Sequence, residues 1–221
     1  MKLDLEGKVA IVTGNSKGIG LAITKSLESE GVKTIGFSRT NGYNLMRSLH
    51  RVFRDYPTCD ILVNNVGGGG RWGTDPLTFN EWDEVMYKNA GVTREMTLNY
   101  LPGMMNNKFG RVITISSIYG KEAGGKPWFT MAKASQIAFM KEMSKQGYEG
   151  VTFNTISPGH IDVREPSEAL APVPMMDYPE SSIKYGKPND VADLVTFLCS
   201  NNAKHINGAN IPVDGGESYS F

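Results

Sequence analysis

Three glycines at a fixed spacing carry the first chemical signal. Gly14, Gly18 and Gly20 lie in Thr13-Gly14-Asn15-Ser16-Lys17-Gly18-Ile19-Gly20, directly after the apolar run Val9-Ala10-Ile11-Val12. A helical pattern of Ile19, Ala22, Ile23 and Leu27 begins at once. Strand, glycine turn, helix is the order a phosphate cradle needs. Gly14 allows a sharp turn, Gly18 a close approach of backbone to ligand, and Gly20 tight packing of helix on strand. The helix start adds unpaired N–H groups and a partial positive charge, which together suit a pyrophosphate. Glycines at this spacing also serve plain turns, so the surrounding elements must carry the reading.

A second glycine cluster, Gly67-Gly68-Gly69-Gly70, follows the buried strand pattern of residues 60–65. Four consecutive glycines cost conformational entropy, which is tolerable in a floppy loop or where backbone must come close to a ligand. Ligands of open parallel sheets bind outside the carboxyl ends of strands, which favours the ligand.

The elements that must position these loops follow from periodicity. Strands are expected at Val9–Val12, 34–38, 60–65, 110–116, 151–156 and 208–213, with a stubbed third strand around Tyr43–Leu45. Helices are expected after the first glycine turn, over Met46, Leu49, Val52 and Phe53, and from Thr78 to about Met105. Two more are expected from Pro127 and over 190–199. Asn89-Ala90-Gly91 should kink the long helix. Residues 163–185, rich in proline and methionine without a period, read as a flap over a pocket. Strands alternating with helices predict an α/β fold: one domain over 1–221, a Rossmann-like doubly wound parallel sheet in three α/β/α layers.

Composition bounds the function. Across 221 residues the 23 Lys and Arg balance the 23 Asp and Glu and form no long runs, which argues against nucleic acid as a partner. Only Cys59 and Cys199 are present, so a reducing compartment is expected and a disulfide framework is not. The first five residues are too short and charged for a signal peptide, and no apolar run spans a bilayer. The expectation is a cytoplasmic protein acting on a small molecule, with no membrane partner. His50 and His205 read as surface residues, and no metal-ligand cluster is visible.

In a doubly wound sheet the tip of the second strand lies beside an adenosine ribose. An acidic residue there bonds the 2′-hydroxyl; arginine instead suits a 2′-phosphate. Here the tip is Ser38-Arg39, with Lys17 in the nearby glycine turn. One charge-assisted contact is worth about 1.5–3 kcal/mol, enough to shift preference roughly tenfold or more towards NADP(H) over NAD(H). The same two cations also read as solvated surface charge.

These motifs resemble those of the classical short-chain dehydrogenase/reductase family over nearly the whole chain. The turn Thr13–Gly20 is similar to the family's cofactor turn, and Asn64-Asn65-Val66-Gly67 to its Asn-Asn-Ala-Gly signature. Pro158-Gly159 and Asp214-Gly215-Gly216 fall where family members have them. The resemblance implies an NADP(H)-dependent carbonyl/alcohol oxidoreductase, with NAD(H) as the other cofactor. It implies cofactor contacts from Gly14, Ser16, Lys17, Gly18, Ile19 and Gly20 in the turn, and from Ser38 and Arg39 at the tip. Asn44 and Leu45 would flank the adenine. Asn65, Val66, Gly67, Lys133, Pro158, Gly159 and Ile161 would complete the slot. It further implies a homodimer or homotetramer paired through the helices near 82–105 and 128–147.

The family's catalytic set is an asparagine that holds a water relay, a serine, and a tyrosine four residues before a lysine. Asn89, Ser117 and Lys133 match; Phe129 stands where the tyrosine would. Residues four apart share a helix face, so a phenol at 129 would sit beside the Lys133 ammonium and be activated by it. Phe129 keeps the ring and has no proton to give. Three readings follow: a Tyr-to-Phe form of an active enzyme, a natural member whose proton comes from elsewhere, or a binder without turnover. Tyr119, His160, Tyr185 and a Lys133-linked water are the proton candidates. A fourth possibility is non-redox chemistry with Ser117 and Lys133. Arg71, Trp72, Ser117, Trp128 and His160 are expected to shape the substrate pocket.

Overall fold

In a computed structural model, which describes residues 2–69, 78–163 and 185–220, six parallel strands form one sheet in the order β2-β1-β3-β4-β5-β6. The strands are β1 (Val9–Thr13), β2 (Lys33–Phe37), β3 (Ile61–Asn64), β4 (Gly110–Ile115), β5 (Val151–Pro158) and β6 (Asn210–Val213). Helices α1 (Gly18–Ser29), α2 (Leu49–Asp55), α3 (Phe79–Met86), α4 (Val92–Asn106), α5 (Pro127–Lys145) and α6 (Pro188–Cys199) cover its faces.

Alternation along the strands divides the core in two. Ala10, Val12, Ile61, Val63, Ile113 and Ile115 point to one face and bury against Ile23 and Leu27 of α1 and Val191 and Val195 of α6. Ile11, Leu62, Val112 and Phe153 point to the other and meet Val52 of α2, Met96 and Tyr100 of α4 and Met140 of α5. Each fully buried side chain of this size contributes roughly 1.5–3 kcal/mol, so both helix layers are held by the same strands. The three-layer doubly wound sheet is thereby observed.

β1 pairs with β2 on one side and β3 on the other, so the winding reverses there and opens a crevice at the carboxyl ends of β1 and β3. The expected third strand does not form. Tyr43–Leu45 carries no strand; a short 3-10 turn at Arg39–Asn41 leads instead towards α2. The physical reason is local. Leu45 buries in the core, and the Asn44 carbonyl accepts from the amides of Arg47 and Ser48, which folds the segment into a turn.

The expected kink is a five-residue π-helical turn, Tyr87–Gly91, between α3 and α4. A Cβ on Gly91 would lie 2.4 Å from the Tyr87 ring, so the turn requires glycine there. Among the described residues no helix is long and apolar enough to cross a membrane. No three His, Cys, Asp or Glu side chains among them are grouped as a metal ion would require. Cys59 and Cys199 are buried free thiols, and burial pushes both up, Cys199 to about 12.

Candidate active site

The crevice at the β1/β3 switch is built by Thr13 and Asn65. Thr13 Oγ1 donates to the Val63 carbonyl (3.2 Å) and accepts from the amides of Asn65 (2.9 Å) and Val66 (3.0 Å). Asn65 Nδ2 returns the contact, donating to the carbonyls of Thr13 (2.9 Å) and Gly14 (3.2 Å). Gly14 and Gly18 have φ of 71° and 54°, the left-handed region that favours glycine. A Cβ on Gly20 would stand 2.2 Å from the Gly14 carbonyl oxygen, so α1 reaches the turn only because residue 20 has no side chain.

The N-terminus of α1 suits an anion. Its cap residue is Lys17, whose side chain makes no capping hydrogen bond, so the first amides of the helix are left to a ligand. Ser16 and Lys17 are exposed on this turn. At the end of β2, Ser38 is buried and Arg39 exposed, and the Ser38 amide donates to Asn41 Oδ1 (2.8 Å). Gly36 admits the Asn15 side chain across β2, where a Cβ would overlap it at 1.8 Å. Asn15 Oδ1 is buried there without a protein partner among the described residues. Asn44 Oδ1 accepts from the Met46 amide (3.1 Å), and Leu45 lies in the core, so Leu45 presents only backbone to a ligand. These features fit a dinucleotide phosphate cradle.

The second half of the site hangs on Asn89 in the π-helical turn. Asn89 Oδ1 accepts from the Gly68 amide (3.1 Å) and Nδ2 donates to the carbonyls of Gly68 (3.0 Å) and Val85 (2.8 Å). The glycine loop after β3 is thus fastened to the helix at its kink. A Cβ on Gly67 would meet Asn89 Oδ1 at 2.5 Å and Lys133 Nζ at 3.1 Å, which explains the glycine. Trp128 Nε1 donates to the Gly69 carbonyl (2.8 Å), and its ring is buried against Val85 and Ala132, so it anchors this loop.

Lys133 is buried on α5, and Nζ donates to the Ile115 carbonyl (2.9 Å) and to Gln136 Oε1 (3.1 Å). Gln136 Nε2 in turn donates to the Asn89 carbonyl (3.1 Å) and to Thr93 Oγ1 (2.8 Å). A glutamine side chain therefore makes the link between Lys133 and Asn89 for which the resemblance implied water. An amide accepts at one end and donates at the other without passing a proton between them; water can do both at one atom. Burial, and then the charge of nearby Lys88, pull the Lys133 ammonium down to about 7.

Phe129 is half-buried on the same face, its ring centre 5.6 Å from Lys133 Nζ. Ser117 ends the β4 segment, and its Oγ accepts from the Tyr119 amide (3.3 Å). Buried Ser116 donates to the Lys133 carbonyl (3.0 Å), which fixes the strand end against α5.

Pro158, Gly159, His160 and Ile161 continue from β5 on the same edge. His160 Nδ1 lies 2.5 Å from Glu217 Oε1. Ile161 forms a parallel bridge to Gly186, joining the chain on either side of residues 164–184. Arg71, Trp72, Gly70 and nearly all of the expected 163–185 flap lie outside the described residues.

Sequence reasoning missed Thr13, Gln136 and Glu217. Gln136 had a signal, because it stands three residues after Lys133 on one helix face. Thr13 and Glu217 had none, since their partners lie about 50 residues or more away in the chain.

Comparison with known proteins agrees with this fold. A family model described as enoyl-(acyl carrier protein) reductase matches residues 40–218. A 3-oxoacyl-(acyl-carrier-protein) reductase of Vibrio cholerae is 31% identical over 97% of this chain and 98% of its own length. An acetoacetyl-CoA reductase of Shinella zoogloeoides is 29% identical over 96% of this chain and 99% of its own. The aldohexose dehydrogenase of Thermoplasma acidophilum superposes with a TM-score of 0.81 at 25% identity, covering 100% of this chain and 98% of its own. The chain belongs to the short-chain dehydrogenase/reductase family, oxidoreductases built on an NAD(P)-binding Rossmann fold.

Proposed function

We propose that this protein is an NADP(H)-preferring carbonyl reductase or alcohol dehydrogenase whose proton-transfer step differs from that of its relatives. The observation that carries the reading is convergence. The glycine turn and the Asn65–Gly69 loop meet at the sheet's switch point, Asn89 and Lys133 close on Gly67 in that loop, and Ser117 follows β4 on the same edge. The dinucleotide, when bound, supplies or accepts the hydride. The chain's own groups do the rest. The α1 amides and Lys17 hold phosphate, and Arg39 takes a 2′-phosphate. Asn44 and the Leu45 backbone border the adenine. Lys133 orients the ribose, Pro158, Gly159 and Ile161 border the nicotinamide, and Ser117 donates a hydrogen bond to the substrate oxygen. Arg71 and Trp72 enter the same reading as substrate contacts.

The substrate class follows the relatives named above, two of which act on 3-oxoacyl or acetoacetyl thioesters by name. A 3-oxo thioester is therefore the first probe, followed by simple ketones and aldoses.

A second reading has its own support. Phe129 has no exchangeable proton, and Gln136 bridges the path from Lys133 to Asn89. A dinucleotide-binding protein without turnover would show both. The dividing experiment is a fluorescence titration with NADPH and NADH, followed by turnover assays of the natural chain and Phe129→Tyr on the ketone panel. NADPH binding with turnover supports the reductase. NADPH binding without turnover in either form supports the binder, and absence of binding removes both readings.

A further inference from the structure

Phe129 cannot supply a proton, and Lys133 is tied to two carbonyl oxygens. A third group on the same edge of the sheet is built for the task. His160 follows Pro158-Gly159 at the end of β5, beside the end of β4 that carries Ser117. Tyr119 touches both: its amide donates to Ser117 Oγ (3.3 Å), and its ring meets the His160 ring edge-on at 6.2 Å. Tyr185, next to Gly186 of the isolated Ile161–Gly186 bridge, lies against the imidazole at 5.8 Å between ring centres.

Glu217 grips His160 twice. Its Oε1 takes the Nδ1 position at 2.5 Å, and its Oε2 accepts from the His160 amide at 2.9 Å. The Glu217 side chain is only 7% exposed, against 26% for His160. This close approach requires glycine at 159, because a Cβ there would stand 2.5 Å from Glu217 Oε2.

The segment carrying Glu217 is itself fixed. Asp214 accepts from the amides of Gly216 and Ser218 (3.0 Å each), on either side of Glu217. Burial pushes Asp214 up, but hydrogen bonds from Ser218 and Gly216 outweigh it and hold the carboxyl below its usual range. Beyond it, Glu122 Oε2 accepts from the amides of Tyr219 (2.9 Å) and Ser220 (3.0 Å). Among the described residues, the titratable groups around the imidazole include Glu217 and Asp214 from the C-terminal segment, Tyr119 from the turn after β4, and Tyr185.

We infer that His160, oriented by Glu217, is the general acid and base of this site, standing in for the phenol that Phe129 lacks. The inference rests on the reductase reading. With Nδ1–H directed at the Glu217 carboxylate, the exchangeable proton sits on Nε2. In reduction, hydride from NAD(P)H reaches the carbonyl carbon and the C=O π pair takes the Nε2 proton, giving the alcohol, NAD(P)+ and a neutral imidazole. The imidazole recovers its proton from solvent through its exposed side. Oxidation runs the same transfers backwards. Ser117 is a partner here, holding the oxygen that receives the proton. Glu217 is a positioning residue, since it acts through His160.

Two measurements test this. The first is imidazole NMR of the full chain without dinucleotide. A downfield proton on His160 Nδ1, assigned by its loss in His160→Gln and lost also in Glu217→Ala, is expected; its absence from the natural chain would overturn the pairing.

The second is turnover of acetoacetyl-CoA with NADPH. His160→Gln should lower kcat about a hundredfold or more, with the NADPH Kd from fluorescence changed less than about threefold. Phe129→Tyr added to His160→Gln should restore most of the loss, because a phenol beside Lys133 takes over the transfer. Retention of kcat in His160→Gln, or a double variant as inactive as the single, would overturn the proposal. Turnover in Phe129→Tyr but not in the natural chain removes the donor role and leaves the reductase reading standing. Turnover in neither removes both.

Discussion

The ammonium of Lys133 lies 5.6 Å from the centre of the Phe129 ring, one helical turn before it on α5. A ring face near a cation is mildly attractive, but it neither neutralises the charge nor exchanges a proton with it. Among the described residues the Lys133 ammonium has only the neutral oxygens of Ile115 and Gln136 to offset its burial, which has a measurable consequence.

A lysine whose folded pKa lies below its unfolded value binds fewer protons when folded, so its contribution to stability rises with pH between the two. For Lys133 the window runs from about 7 to the ordinary 10.5. Below about 7 the ammonium is charged in both states and its penalty is constant. Urea unfolding at pH 7, 8 and 9 should show the natural chain gaining on Lys133→Met by up to about 1.4 kcal/mol per pH unit. A difference that stays flat or falls across that range would contradict the buried placement.

Gln136 links Lys133 to Asn89 and Thr93 through both ends of its amide. Gln136→Leu strips three buried partners at once and should cost roughly 1–3 kcal/mol by denaturant unfolding. Gln136→Glu should behave differently. Its carboxylate beside Lys133 favours the ammonium, so the rise in stability above pH 7 should shrink or vanish. Equal pH profiles for the Glu variant and the natural chain would show that the two side chains do not interact.

Gly20→Ala tests the cradle without touching a charge. The new Cβ would meet the Gly14 carbonyl at 2.2 Å and Asn65 Nδ2 at 2.6 Å, so either α1 or the turn must move. Overpacking of this kind costs about 1–3 kcal/mol, which at about 2–4 °C per kcal/mol is a fall in Tm of roughly 2–12 °C. NADPH affinity should fall more steeply than stability, since the amides that face phosphate are displaced. Unchanged affinity in a folded variant would place the dinucleotide elsewhere.

Arg39→Asp addresses cofactor choice. Arg39 is exposed at the end of β2, so any contact with a 2′-phosphate is charge-assisted and partly screened by salt. The variant should lose about tenfold or more in NADPH affinity and keep or improve NADH affinity. The preference of the natural chain should also narrow as salt rises. Titrations at low and high ionic strength check both, and a preference unaffected by the substitution would remove Arg39 from the recognition.

Local signals were legible where the chemistry is local. Gly14, Gly18 and Gly20 declare themselves by spacing; the positive φ of Gly14 bears out its turn and the close contact at Gly20 its tight packing, while Gly18 needs glycine for a positive φ of its own. The kink at Asn89 was readable from Asn-Ala-Gly inside an apolar helical pattern, and it is a π-helical turn. The third strand was misjudged because Tyr43 and Leu45 suit a strand as well as a buried turn. The decision fell to the Asn44 carbonyl and the space beside α2.

The amino-acid order by itself determined the alternation of strands and helices, the glycine turns and the α5 face shared by Phe129 and Lys133. Each depends on contacts within a few residues, where backbone sterics and periodicity suffice. Tertiary structure alone decided that Glu217 meets His160, that Thr13 locks the β1 and β3 loops together, and that Gln136 reaches Asn89. Those contacts join elements brought near only when the sheet is wound. Burial then sets their strength, because a polar group withdrawn from water must find its partner in whichever segment packs against it.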